Sequence, residues 1–269
     1  MTGRPEAAAG REGAGAPEDA LVATKAPRDI RGMFHDISRT YDFLNHLLSL
    51  NTDRRWRRFV ARRVVTPDVR EVLDVCSGTG DLALAIAEQA VRVGAAPRIV
   101  GSDFTPSMMA IARDKFGRAS ARSAVTPLPS VGDTMRLPFP DARFDLVTVA
   151  FGIRNVSETA AGLAEMARVC RTGGRVAVLE FSQPRNALMR RAYNLYFFTV
   201  LPWVGRLISG SRAYTYLPKS VARFPDGDGF ARMLGAAAGG PVETHPLTFG
   251  IATLYVATVR RDGVSAASR

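Results

Sequence analysis

The chain has 269 residues, 46% of them hydrophobic, which suits one globular α/β domain with a substantial core. Its two cysteines lie far apart and form no C-x-x-C pair, so neither a disulfide framework nor a zinc site is indicated, and inert buried thiols in a reducing cytoplasm are expected. A formal net charge of +11 fits nucleic acid, an anionic membrane face or an arginine-rich surface, and selects none of them.

Residues 1–28 are rich in Ala, Gly, Pro, Glu and Arg without apolar periodicity and read as a disordered leader, with no secretory pattern. From Ile30 to Val65 apolar residues recur near a 3.6 period, which predicts a helical cap over residues 29–68. An arginine cluster from Arg54 to Arg63 is interleaved with Trp56 and Phe59. The first strand, through Val72, Leu73 and Val75, runs into a glycine turn and then a helix over Leu82–Val93. A second strand, Arg98–Asp103, precedes a helix over Pro106–Phe116 with Thr105 as its N-cap.

A short third strand is read within Ser130–Leu137 and a strongly apolar fourth over Phe144–Ala150. A helix over Ser157–Cys170, a turn at Gly173-Gly174 and a fifth strand over Arg175–Phe181 follow. Residues 184–222 break the alternation with an aromatic, proline-containing insert. A helix over Phe230–Ala238 and a final strand over Ile251–Val259 close a domain spanning 29–262, and 263–269 read as a disordered tail. Strand–helix alternation predicts a mostly parallel sheet with helices on both faces.

Residues 71–81, Glu-Val-Leu-Asp-Val-Cys-Ser-Gly-Thr-Gly-Asp, carry the chemistry. Gly78 and Gly80 lack a Cβ and would let a ligand approach the backbone. The dinucleotide fingerprint needs a third glycine at 83, where Ala83 stands, and Asp74 inside the strand would repel a pyrophosphate. An acid followed by G-x-G suits a cofactor with an amine and a sulfonium, namely S-adenosylmethionine. Asp74 is expected near its amino group, directly or through water, Thr79 on its carboxylate through backbone and hydroxyl, Asp103 on both ribose hydroxyls, and Asp133 with Thr134 on the adenine. Met108 or Met109 would pack on the adenine face. No metal ligand set is present in the pattern.

The chain resembles the ubiquinone/menaquinone-biosynthesis C-methyltransferase family from about Met33 to Asp226. The resemblance rests on Met33-Phe-His-Asp-Ile-Ser-Arg-Thr-Tyr-Asp42, Val72 to Asp81, and Leu137-Pro-Phe-Pro-Asp141. It continues through Ala150-Phe-Gly-Ile-Arg-Asn155, Gly173 to Ser182 and Leu201-Pro-Trp-Val-Gly-Arg-Leu-Ile208. Related chains often carry a serine where Ala150 stands. The resemblance implies a class I S-adenosylmethionine-dependent methyltransferase fold, Rossmann-like, with a seven-stranded mostly parallel sheet, a helical N-terminal cap and a helical insert before the last strands. It also implies cofactor contacts at Thr79, Asp103, Asp133 and Thr134. The implied reaction is methylation of a ring carbon of a polyprenylated quinol, demethylmenaquinol to menaquinol or the equivalent step on 2-polyprenyl-6-methoxy-1,4-benzoquinol.

A quinol hydroxyl titrates near 10, by analogy with tyrosine. Arg154 is therefore expected to stabilise the developing oxyanion, Asn155 to orient the quinol oxygen or a water, and Tyr41 to reach in from the cap. Structural alternatives are an ion pair of Arg154 with an acid such as Asp145 and a purely packed Tyr41; His46 is a reserve base. The insert is too short and interrupted to span a bilayer and is read as a lid over a greasy tail. The expected partners are the quinol, a peripheral contact at the inner face of the membrane and, as an open alternative, a second copy of the chain. Nucleic acid is not expected, because the position after the fourth strand lacks the Pro-Pro block of base methyltransferases; a cofactor-binding scaffold without turnover is the non-enzymatic alternative.

Overall fold

The computed structural model describes residues 21–22, 24–49, 51–200 and 213–261. The expected leader through residue 20, the 201–208 block of the resemblance and the expected tail at 263–269 lie outside the described residues. The last part of the expected leader differs from the disordered reading. Leu21 and Val22 are buried with Ile30 and Tyr216, and Lys25 donates to the carbonyl of Val156.

Two helices replace the single helical run read from the sequence, α1 (Pro27–Leu48) and α2 (Thr52–Val64). The break falls beside Asn51, whose φ of 58° is left-handed, a conformation that asparagine tolerates and a helix does not. The strands are β1 (Glu71–Val75), β2 (Arg98–Asp103), β3 (Leu128–Val131), β4 (Phe144–Ala150), β5 (Cys170–Phe181), β6 (Val242–Leu247) and β7 (Ala252–Thr258). Between them lie α3 (Asp81–Arg92), α4 (Pro106–Ser120), α5 (Thr159–Val169), α6 (Ala187–Leu195), α7 (Ala213–Arg223) and α8 (Gly227–Ala238).

The seven strands form one sheet in the order β3-β2-β1-β4-β5-β7-β6, with β7 antiparallel to both neighbours and the other pairs parallel. Alternation along each strand sorts its apolar side chains between two cores. Val72, Ile99 and Leu146 pack with Trp56, Val60 and Val64 of α2 and Ile86 of α3. Their neighbours Leu73, Val147 and Val178 pack on the opposite face with Leu163 of α5 and Phe230 of α8. Strand order reverses between β1 and β4, and the crevice beyond their carboxyl ends is where an open α/β sheet binds ligands.

Three strands depart from expectation: β6 has no counterpart among the strands read from the residues, and two others are shifted. β3 ends at Val131, and Gly132 to Leu137 form turns instead of strand. Cys170 already pairs with Phe144, so the expected Gly173-Gly174 turn is an irregularity inside β5, with Gly173 at φ +78°.

Candidate active site

Asp74 is fully buried on β1 and accepts from the hydroxyls of Ser77 (2.6 Å) and Thr148 (2.7 Å), the latter from the paired position on β4. Burial pushes its carboxyl up to about 6, against the hydroxyls that favour the ionised form. It lines neither cavity of the site; its oxygens tie the glycine loop to the sheet, so a contact with the cofactor amine from this position would run through water. Gly80 has a packing role as well. A Cβ there would come within 2.4 Å of the Phe116 ring, so this glycine admits α4, not a ligand. Gly78 does line the cavity. Thr79 is buried outside both cavities, its hydroxyl donating to Asp42 of α1 at 2.5 Å. Lys115 of α4 bridges Asp42, Thr79 and Asp81, so α1 is pinned over the loop.

The narrower cavity, about 90 Å³, opens at the carboxyl ends of β1, β2 and β4. Gly78, Asp103, Met108, Asp133 and Thr134 all line it. Each oxygen of Asp103 takes one backbone N–H, from Gly78 (2.9 Å) and Thr105 (2.8 Å). A carboxylate has about four lone-pair sites, so two remain for a vicinal diol. Burial raises the Asp103 carboxyl above the usual range. Asp133 accepts from Met135 N–H through Oδ1, and Thr134 is in contact with Cys76 Sγ at 3.2 Å. Met108 faces this cavity, whereas Met109 packs into the core beneath the sheet. Cys76 is half-buried, packing against the core while lining the cavity; burial pushes its thiol up to about 12, so it stays protonated. Cys76 and Phe151 follow β1 and β4 directly, and both have left-handed φ, 48° and 58°. Such strain concentrates at binding sites. Gly152 makes it feasible, since a Cβ there would meet Cys76 Cβ at 2.3 Å.

A larger cavity of about 350 Å³ shares Phe34, Tyr41 and Phe151 with the first. Trp56, Phe151, Phe181, Tyr193 and Phe197 give it an aromatic wall, and Asp53, Arg57 and Arg154 its few charges. Tyr41 thus stands at the seam of the two cavities. Asn155 lines the narrower one and accepts from the Tyr216 hydroxyl at 3.0 Å. Arg154 lines the larger one, lies over the Phe181 ring at 5.5 Å, and pairs with Glu180 at 2.9 Å and with the carbonyl of Phe151. Asp145 is not its partner; that acid pairs with Arg171 and accepts from the backbone of Arg70 and Glu71.

Sequence reasoning missed Glu180 and Asp53. The signal for Glu180 is an acid inside an otherwise apolar strand. Burial alone would raise Asp53, but Arg57, Ser49 and His46 around it hold its carboxyl below the usual range. His46, Asp53 and Asp81 have the spacing of a metal site among the described residues, yet Arg57 and Lys115 already neutralise the two acids.

Acids at the end of β2 and after β3, facing a crevice at the β1/β4 switch, define a class I S-adenosylmethionine-dependent methyltransferase. The residues fit that cofactor: a partly buried carboxylate with open acceptor capacity for the ribose, an acid for the adenine amine, and Met108 facing the same cavity. The fold is shared with an S-adenosylmethionine-dependent methyltransferase of Thermotoga maritima, at TM-score 0.54 and 17% identity over 85% of this chain and 100% of that one. A Methanococcus maripaludis protein described as a putative member of the same class also has TM-score 0.54, at 16% identity over 89% of this chain and 96% of that one.

Residues 22–259 match the model of the ubiE/COQ5 methyltransferase family, and the chain belongs to that family. Among its relatives is the Geobacter sulfurreducens protein named ubiquinone/menaquinone biosynthesis C-methyltransferase, 45% identical over 86% of this chain and 89% of its own. The demethylmenaquinone methyltransferase of Deinococcus radiodurans is 45% identical over 86% of this chain and 92% of its own.

Proposed function

We propose that the protein methylates a ring carbon of a polyprenylated quinol, converting demethylmenaquinol to menaquinol. The observation that carries this reading is the junction of two unlike cavities at Phe34, Tyr41 and Phe151. One has the acids that suit a nucleoside; the other has aromatic walls for a ring and an apolar tail, and two buried guanidiniums, of which Arg57 is paired with Asp53 and Arg154 with Glu180. S-adenosylmethionine, when bound, supplies an electrophilic methyl on sulfonium. The protein's task is to make the ring carbon nucleophilic and to align it. Arg154 holds a permanent positive charge where Phe151, Phe181 and Trp56 exclude water, so a phenolate beside it is favoured far more than in bulk solvent. Asn155 is held by Tyr216, and Tyr41 orients the ring at the seam; alignment supplies much of the remaining barrier reduction.

The test is direct. Purified protein, deuteromethyl-labelled S-adenosylmethionine and chemically reduced demethylmenaquinone with a short prenyl tail are combined, and the product is read by mass spectrometry. Ring-labelled menaquinone is expected. Absence of labelled product from this quinol and from the benzoquinol precursor overturns the reading.

The tail enters from a bilayer in this account. Leu188, Leu195, Phe198 and Phe249 are 79%, 65%, 46% and 74% exposed, on segments that also wall the larger cavity. Exposed Arg54, Arg55, Arg58 and Arg62 on α2, with Phe59, and Arg190 and Arg191 on α6 suit anionic headgroups. No helix among the described residues is long and apolar enough to cross a membrane. Salt-sensitive pelleting with anionic vesicles, and none with neutral ones, is expected; equal pelleting with both contradicts this peripheral contact.

A further inference from the structure

The buried pair Arg154–Glu180 leaves two of its own atoms unsatisfied. Arg154 Nη1 donates to Glu180 Oε1 and to the Phe151 carbonyl, and Oε1 also accepts from Phe181 N–H at 2.9 Å. Arg154 Nε and Glu180 Oε2 are buried without a hydrogen-bond partner. The hydroxyl of Tyr193, on the wall of the same cavity as Arg154, is buried and unpartnered too. Open donors and acceptors in a dry interior destabilise the free protein, and native structures carry few of them. Glu180 lines neither cavity itself; it stands behind Arg154, which lines the larger one, and Tyr193 on that wall lies in the field of both. An open donor, acceptor and hydroxyl in this group complement a ligand atom that both donates and accepts.

We propose that these three atoms receive a ring hydroxyl of the quinol, and that Glu180 accepts its proton while Arg154 holds the phenolate left behind. The proposal rests on the reading of the larger cavity as the quinol site. Arginine keeps its charge at any working pH and cannot itself take the proton. Glu180 is 1% exposed, so the proton reaches it across one hydrogen bond or one trapped water, not through bulk solvent. Burial raises its carboxyl above the usual range despite the Arg154 charge, which brings it nearer to the hydroxyl it serves. The other titratable groups in its field are Lys25, Cys76, Tyr193, Tyr216 and Tyr255. Cys76 is pushed up to about 12 and the Tyr193 hydroxyl is raised as well, so Glu180 is the base of this group.

The balance is as follows. The quinol O–H bond breaks and its proton moves to Oε2. The ring carbon forms its bond to the methyl as the C–S bond breaks, with that electron pair left on sulfur. The ring carbon then loses its hydrogen to solvent as Glu180 returns its proton to the oxygen, so one proton is released per turnover.

The test is the pH profile of kcat/KM for wild type and Glu180→Gln, with melting temperature and calorimetric S-adenosylmethionine affinity as controls. Wild type is expected to rise through the raised carboxylate range and then level off. Glu180→Gln is expected to bind the cofactor normally, to fall by about 10²- to 10⁴-fold at neutral pH, and to gain roughly tenfold per pH unit toward the quinol's own ionisation near 10. A slow variant with the wild-type plateau overturns the proposal, since Glu180 would then only hold Arg154. If loss of the charge prevents folding, Tyr193→Phe decides. It removes an open hydroxyl, so an unchanged or higher melting temperature with a KM for the quinol raised about tenfold is expected; an unchanged KM or a lower melting temperature overturns the proposal. A wild-type protein that methylates no quinol removes the parent reading as well, which separates the two failures.

Discussion

Asp103→Asn keeps the side-chain shape at the end of β2 but removes the charge and turns one acceptor oxygen into a donor. Both oxygens of Asp103 already take a backbone N–H, at 2.9 and 2.8 Å, and the ribose diol needs their remaining lone pairs. The amide can satisfy one N–H and one hydroxyl through its oxygen, while its NH₂ faces a second N–H that it cannot accept from. At least one charge-assisted hydrogen bond is lost, about 1.5–3 kcal/mol, which corresponds to a roughly 10- to 150-fold weaker Kd. Calorimetric titration with S-adenosylhomocysteine, which cannot turn over, measures this without chemistry. A Kd within about threefold of wild type, at an unchanged melting temperature, would refute the assignment of Asp103 to the ribose. Acid should mimic the substitution. Because burial raises the Asp103 carboxyl, affinity should begin to fall at a higher pH than an ordinary aspartate would give.

Arg154→Lys keeps the charge but loses Nε and shortens the reach of the one nitrogen, Nη1, that serves both Glu180 and Phe151; kcat should fall by about 10- to 100-fold with cofactor affinity intact, and wild-type turnover would remove Arg154 from the oxyanion site. Burial pushes the Asp74 carboxyl up to about 6, above the usual aspartate range. The sign is that of a raised group, so its favourable contribution is complete below the unfolded value and is lost as pH rises through about 6. Asp74→Asn, which does not titrate, should therefore gain stability relative to wild type between pH 4 and 7, by up to about 3 kcal/mol, as read by urea unfolding at both pH values. A pH-independent difference would contradict the burial argument. Gly80→Ala places a methyl on the Phe116 ring at a left-handed φ of 88° and should destabilise by about 2–4 kcal/mol, read by thermal unfolding.

β2 and β4 were legible to the residue because each is a compact apolar run with a clear end, an acid in one and the Ala150-Phe-Gly corner in the other. β6 escaped because it is an edge strand whose Glu243, Thr244 and Pro246 are exposed, a composition that reads as loop. β3 was displaced for a similar reason: Leu128 and Val131 are 55% and 56% exposed, so no buried face marks its bounds. In the site, Asp103, Asp133, Gly78 and Thr134 were readable because strand ends alone bring them to the crevice. The partners of Asp74 and Thr79, Thr148 on β4 and Asp42 on α1, were not legible because they come from remote segments that no local pattern links. The Arg154–Glu180 pair hid for the same reason, its members 26 residues apart on adjacent elements.

A crystal structure with S-adenosylhomocysteine and a demethylmenaquinol analogue bound together tests the central claim most directly. The account predicts the ribose on Asp103 in the narrower cavity, the quinol ring beside Arg154 in the larger one, and the sulfur directed at the ring carbon across the Tyr41–Phe151 seam. Adenosine density elsewhere, or a ring lodged away from Arg154, would contradict it.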